Sequence, residues 1–459
     1  MEKPISLDDA IFMLKNMSGG ATALLGSALA IWVTFIVIAI TFLWRRLPAV
    51  KVPSAPVPKA TKAPVVKPKE RKREAPEPVG PAGPNIYEKP KKVSKKANPT
   101  RNTNKGAKTS SGATSHPLCL NTLKGHNDTI TGLAFGAGPN HLRLASSCAD
   151  QTVRLFKLED VAAKSHHMIR INLDREQATG VAFGKTVGDV LIASAGASGG
   201  SRLSKYVVPS ETGKQPELKW QVPDAHGKQF HITSLTAATK EGRPPLALSC
   251  SNFDTNLGLW YADTGKVVEM VNTNQLVNNM AALSPDGRFF AAATFTADVK
   301  IWELNWGKAA GDPVKVERVM TLQGHKGAVT CLAFNHDSTE VVTCSKDQTW
   351  RVWNINVRYA LSEDPKVIRS GKCVPEQAGN YYAHLALSRR GVIAATVHPG
   401  ETSLHFIDSK TGEMLEEVAM AHDSAITSLV WAPAPLHGGE GGGHELLATA
   451  AADKKVKLW

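Results

Sequence analysis

Four dipeptides in this 459-residue chain place a histidine at nearly constant spacing: Gly125-His126, Ala225-His226, Gly324-His325 and Ala421-His422, with His-to-His intervals of 100, 99 and 97 residues. Each histidine is followed by a hydroxyl residue and then an aspartate. The sets are His126 with Ser146 and Asp150, His226 with Ser249 and Asp254, His325 with Thr343 and Asp347, and His422 with Thr449 and Asp453. A single such trio could run general-base chemistry on a hydroxyl nucleophile. Repetition argues against that chemistry here. A catalyst needs one site, whereas this trio recurs at a similar offset from a strand end, which reads as a structural bond made again in each repeat.

The sequence carries no GxxxxGK[ST], HExxH or GxSxG pattern. Gly196-Ala197-Ser198-Gly199-Gly200 superficially suggests a phosphate loop, but no Lys-Ser/Thr and no helix follow it, so a surface loop is expected. The run GGEGGG at 438–443, flanked by His437 and His444, reads as a flexible loop tip rather than a metal site. The six cysteines (Cys119, Cys148, Cys250, Cys331, Cys344 and Cys373) form no CxxC pair and keep no zinc spacing with histidine. Several lie in apolar runs such as Thr330-Cys331-Leu332-Ala333-Phe334, so buried free thiols are expected, which fits a reducing compartment. No catalytic residue, metal or cofactor is expected.

The elements that must position the histidines are short strands. The His intervals are each about twice a repeat of ~40–50 residues, so further repeats should lie between them. Strand ends reveal these at Arg154-Leu155-Phe156, Ser204-Lys205-Tyr206, Gly258-Leu259-Trp260, Lys300-Ile301-Trp302, Arg351-Val352-Trp353, Leu404-His405-Phe406 and Lys457-Leu458-Trp459. The seven aromatic positions are spaced by 50, 54, 42, 51, 53 and 53 residues, one per four-stranded unit. Period-2 apolar runs such as Ile130-Thr131-Gly132-Leu133-Ala134-Phe135, and turns such as Ser284-Pro285-Asp286-Gly287, favour strands over helices. Since Trp459 closes the third strand of the last unit, Cys119–Leu123 is expected to supply its outer strand and shut the ring.

These repeats resemble the WD40 family across 116–459. The resemblance implies an all-β, seven-bladed WD40 β-propeller that serves as a non-enzymatic interaction platform. It also implies a hydrogen-bonded set of His, Ser/Thr, Asp and strand-c Trp in each complete blade. By match, blade five has His325, Thr343, Asp347 and Trp353, and blade seven has His422, Thr449, Asp453 and Trp459. Blade three has His226, Asp254 and Trp260, with Ser249 offset by one residue. Blade one has His126, Ser146 and Asp150, but Phe156 cannot donate an indole N–H. In blade four, Thr296 stands where the Asp would fall. Outside these sets, Asn272, Asn274, Asn278 and Asn279 cluster between blades, Trp350 replaces the usual Val or Ile of strand c, and Trp306 is either an exposed partner contact or packed beneath a loop.

The N-terminal quarter has a different character. After a short tail (1–18), residues 19–44 carry no charge and are predominantly apolar, enough to cross a ~30 Å hydrocarbon core as one transmembrane helix. Residues 45–115 hold 18 basic and four acidic side chains, 12 prolines and one aromatic, and are expected to form a disordered Pro/Lys-rich linker. The net charge of +13 therefore sits in this linker, because 116–459 carry 34 residues of each sign. Its clusters are Lys67, Lys69, Arg71, Lys72 and Arg73, then Lys89, Lys91, Lys92, Lys95 and Lys96. They suit either a solvated spacer or electrostatic adhesion to anionic lipid or to a ribosome. Without interleaved aromatics, sequence-specific RNA reading is not expected. Arg45, Arg46 and Lys51 behind the apolar span place the C-terminal side in the cytosol by the positive-inside rule. The sequon Asn127-Asp128-Thr129 would be glycosylated only if the large domain were lumenal.

The blocks 272–308 and 324–359, with the apolar and basic N-terminal segments, narrow the resemblance to membrane-bound WD40 proteins. It implies a scaffold that holds protein partners on the cytosolic face of the endoplasmic reticulum, in stress or translation signalling. The alternative is a ribosome or RNA tether acting through the linker. No small-molecule substrate is expected.

Overall fold

The computed structural model describes residues 116–459 apart from 197–199, 210–213, 252, 310–311 and 436–444. The expected transmembrane helix over 19–44, the linker over 45–115 with both basic clusters, and most of the two glycine-rich loops lie outside the described residues. Among the described residues no helix is long and apolar enough to cross a membrane.

Seven four-stranded antiparallel sheets follow one another along the chain. Six are sequential: blade one over 130–172, two over 176–222, three over 232–272, four over 278–322, five over 329–372 and six over 381–418. The strands a, b, c and d of a blade pair in chain order, as the period-2 patterns and turn signals imply. At Ser284-Pro285-Asp286-Gly287, for example, Gly287 N–H donates to Ser284 O at 3.0 Å, and Gly287 takes φ +64, which glycine adopts without strain.

The seventh blade is assembled from both ends of the described chain. Its strands a to c are Ile426–Trp431, Leu447–Ala451 and Val456–Leu458, and its outer strand is Asn121–Leu123. Asn121, Thr122 and Leu123 pair with Leu458, Lys457 and Val456. Leu123 is buried beside Ile130, Val456 and Leu458. The last blade therefore has no unpaired strand-c edge.

A second device joins neighbouring blades. Every strand a carries a register shift in its first half, at Thr131, Thr179, Thr233, Asn279, Thr330, Ala383 or Thr427. The bulge turns that side chain sideways. Thr131 Oγ1 donates to Ala178 O at 2.7 Å, Asn279 Nδ2 to Val329 O at 2.6 Å, and Thr330 Oγ1 to Tyr382 O at 2.8 Å. Thr427 Oγ1 donates to Ile130 O, which carries the pattern across the seam from blade seven to blade one. In blade two the Thr179 hydroxyl is buried with no partner, and Ala383 in blade six has no donor to offer. These residues line a central channel of about 330 Å³, into which His384 also projects.

The core is a run of interblade clusters. Trp302 lies parallel to Phe290 at 5.1 Å among the apolar side chains of blades three and four. Trp350 is buried, 2% exposed, beside Gly371 on strand d, where an added Cβ would lie 2.5 Å from the indole. Strand c accommodates a tryptophan there because the opposite residue has no side chain.

Candidate functional site

Three of the four histidine sets are complete. In blade five, His325 Nε2 lies 2.8 Å from Thr343 Oγ1 and His325 Nδ1 lies 3.0 Å from Asp347 Oδ2. Trp353 Nε1 donates to Thr343 Oγ1 at 2.8 Å. Blade seven repeats this with 2.7 Å from His422 to Thr449, 3.0 Å to Asp453 and 2.8 Å from Trp459 to Thr449. Blade three does so with 2.8 Å for each of the three bonds among His226, Ser249, Asp254 and Trp260. The offset of Ser249 is absorbed by a longer turn before Asp254.

Proton order follows from the donors. The carboxylate can only accept, so His Nδ1 carries the proton to it, and the bare Nε2 accepts from the hydroxyl, whose oxygen also accepts the indole N–H. The Asp then gathers further donors. Asp347 accepts from Lys326 N–H at 2.8 Å, Thr349 N–H at 2.9 Å and Thr349 Oγ1 at 2.7 Å. Burial opposes the Asp347 charge, but these donors and His325 outweigh it and hold the carboxyl at about 2. Burial pushes His226 and His325 below the ordinary imidazole range, against the pull of Asp254 and Asp347. Thr343, Ser249 and Thr449 are fully buried, so the hydroxyls have no approach for a substrate and serve to lock turns onto strands.

Blade one departs from this pattern. His126 Nε2 lies 2.7 Å from Ser146 Oγ, but His126 Nδ1 stands 3.8 Å from Asp150 Oδ2 and has no hydrogen-bond partner. Asp150 is held instead by Asn127 N–H at 3.0 Å and Thr152 Oγ1 at 2.5 Å. Burial, reinforced by the nearby Arg154 guanidinium, takes His126 down to about 4. In blade four, Thr296 pairs with Thr294 at 2.7 Å in place of an aspartate contact.

Trp306 is half buried against the cluster of blades three and four, and the Arg243 guanidinium lies 5.7 Å from its ring centre. Arg243 is itself held by Ala309 O and Gly307 O, so Trp306 is packed beneath a loop and is not an open contact. The asparagine cluster divides: Asn272 and Asn274 are exposed, whereas Asn278 and Asn279 turn inward. Asn278 Nδ2 donates to Asp254 O at 2.8 Å, and Asn279 forms the blade-four latch described above.

Three of the exposed apolar residues lie on the turns around that cluster. Phe253, Leu276 and Phe295 are 65%, 74% and 44% exposed. Asn278 ties the turn after Phe253 to the crossing that carries Leu276, and Phe295 N–H donates to Val277 O at 3.1 Å. Three exposed apolar side chains are thereby held on three linked turns of one propeller face, an arrangement suited to contact with another protein. Their signal in the sequence was an apolar residue inside a turn, a weak one against the apolar strands on either side.

The WD domain, G-beta repeat model matches residues 117–157, 316–354 and 415–459. Human transducin beta-like protein 2 is 30% identical over 324 residues, which cover 68% of this chain and 67% of that protein. The mouse protein of the same name is 29% identical, with 69% and 68% covered. Nuclear distribution protein PAC1 of Arthroderma otae is 22% identical over 68% of the chain and 66% of its own length.

Proposed function

Because the chain belongs to the WD40-repeat family, we propose that it is a membrane-anchored scaffold whose propeller holds protein partners on the cytosolic face of the endoplasmic reticulum. The observation that carries the scaffold reading is the contrast between its two residue groups. The His, hydroxyl and Asp residues that could do chemistry are buried, whereas Phe253, Leu276 and Phe295 are exposed on linked turns. The anchor rests on the uncharged span over 19–44, and the orientation on the basic residues behind it. The likeness to transducin beta-like protein 2 supports a shared role for the propeller; stress or translation signalling is the setting we propose for it.

Two measurements test this reading. Protease protection on intact microsomes should digest the propeller, with no glycosidase shift at Asn127; protection with an Asn127-dependent shift would reverse the orientation. A photo-crosslinking residue at position 276 should capture a discrete partner, whereas one at Glu416 on an outer strand should not; equal capture at both would remove the assigned face.

A second reading is favoured by the 18 basic and four acidic residues over 45–115. In it the linker tethers the protein to a ribosome or to anionic lipid. Binding would then fall steeply with salt and disappear when 45–115 is deleted.

A further inference from the structure

We propose that the incomplete histidine set of blade one is a binding site for a thiophilic divalent metal ion of the zinc class, held by His126 Nδ1, Cys148 Sγ and Asp150 Oδ2. These three ligand atoms lie within 4.8 Å of one another. Two of the side chains are almost fully enclosed, with Cys148 at 0% and His126 at 6% exposed.

The inference begins with His126. In blades three, five and seven His Nδ1 lies 2.8–3.0 Å from a carboxylate, which can only accept, so Nδ1 carries the ring proton. In blade one Nδ1 stands 3.8 Å from Asp150 with no hydrogen-bond partner, while Nε2 lies 2.7 Å from Ser146 Oγ. The ring proton therefore sits on Nε2, donated to Ser146 Oγ, and Nδ1 is the bare nitrogen. A buried imidazole lone pair with no donor facing it is what a metal ligand looks like before the ion arrives. The Nε2–H bond to Ser146 is the outer hydrogen bond that orients such a ligand.

The second difference is sulfur. The position two residues after the hydroxyl is Cys148 here, Ser345 in blade five and Ala451 in blade seven. Cys148 fills the place of Ser345 closely. Asp150 N–H donates to Cys148 Sγ at 3.4 Å and Cys148 Sγ donates to Asp128 O at 3.2 Å. In blade five, Asp347 N–H donates to Ser345 Oγ at 3.1 Å and Ser345 Oγ donates to Gly327 O at 2.9 Å. Asp150 keeps its charge and is aimed by Asn127 and Thr152.

Arg154 sets the selectivity. Its Nη2 stands 3.8 Å from Asp150 Oδ2 and repels any cation placed there. A hard ion bound by charge alone, such as calcium or magnesium, is disfavoured, whereas an ion with strong bonds to thiolate and imidazole is not. On binding, the Cys148 S–H bond breaks, its proton leaves to water, and the sulfur pair forms the bond to the metal.

The test uses the full-length chain, stripped with chelator and titrated with cobalt(II) alone as a coloured substitute for zinc. The wild type should bind one equivalent with a thiolate-to-cobalt band, and zinc should displace it. Cys148→Ser, which reproduces the blade-five arrangement, should keep the melting temperature and lose that band. His126→Gln, which removes the Nδ1 ligand, should weaken cobalt binding at least roughly tenfold. No stoichiometric band in the wild type, a band that persists in Cys148→Ser, or undiminished binding in His126→Gln would each overturn the proposal.

Discussion

Asp347→Ala is the substitution whose cost follows most directly from the structure. The carboxylate accepts from Lys326 N–H, Thr349 N–H, Thr349 Oγ1 and His325 Nδ1. Together these hold it at about 2, against 3.8 for an unperturbed aspartate. That difference corresponds to about 2–3 kcal/mol of preference for the charged form in the folded state. The folded value is the lower one, so the stability is fully present above the unfolded value of 3.8 and is lost as pH falls through about 2. Alanine removes the acceptor outright and leaves the His325 donor stranded beside a buried Thr343, for a similar loss at pH 7. The assay is urea unfolding of wild type and variant at pH 7, 4 and 2. The gap should be about 2–3 kcal/mol at pH 7 and shrink to under about 1 kcal/mol at pH 2, where about half of the folded wild type has the carboxyl protonated. A gap of the same size at pH 7 and pH 2 would show that the loss is one of packing and refute the charge argument, as would no gap at all.

The interblade latches make a paired prediction: Thr427→Val should cost about 1 kcal/mol by removing the bond to Ile130 O, while Thr179→Val should be neutral or stabilising because its hydroxyl has no partner; equal effects by thermal melting would dismiss the latch. Deleting 116–124 removes the strand that pairs with Val456–Leu458 and should lower the melting temperature of the whole propeller, so an unchanged melt would mean that the ring closes without it. Neutral His126 contributes stability that is complete above its unfolded value of 6.5 and is lost as pH falls through about 4, on the order of 3 kcal/mol. The slope of unfolding free energy between those pH values should flatten in His126→Gln, and an unaltered slope would assign it to other groups.

The blade count was legible because strand c ends on an aromatic in every repeat, at positions the eye can find without knowing the fold. The closing strand was legible for a related reason, since a blade that ends at strand c needs an edge partner and Cys119–Leu123 was the remaining apolar stretch. The complete histidine sets were visible as offsets from Trp260, Trp353 and Trp459. The unpartnered Nδ1 of His126 was not visible, because it depends on a shift of less than 1 Å between two buried side chains. The latches were hidden differently. Ile130-Thr131, Val329-Thr330 and Ile426-Thr427 look like ordinary alternation, yet a register shift turns the second residue toward the next blade. Trp306 and Trp350 were conspicuous by type, but their burial was decided by Arg243, on a turn, and Gly371, on the next strand, residues that nothing local announces.

The shared seventh blade also sets the order in which a nascent chain can finish. Leu123 pairs with Val456, so about 330 residues must be synthesised between the two halves of that contact. At ~5–20 residues per second this takes roughly 15–65 s. During that interval blades one to six can each complete their own sheets, but strand a of blade one, Ile130–Phe135, still waits for Thr427 to arrive. The growing protein is an open arc with two sticky ends, and both belong to the final step. A chaperone or a translational pause that protects this protein would be most useful while 426–459 are being made, and two copies caught at that stage could close each other's rings.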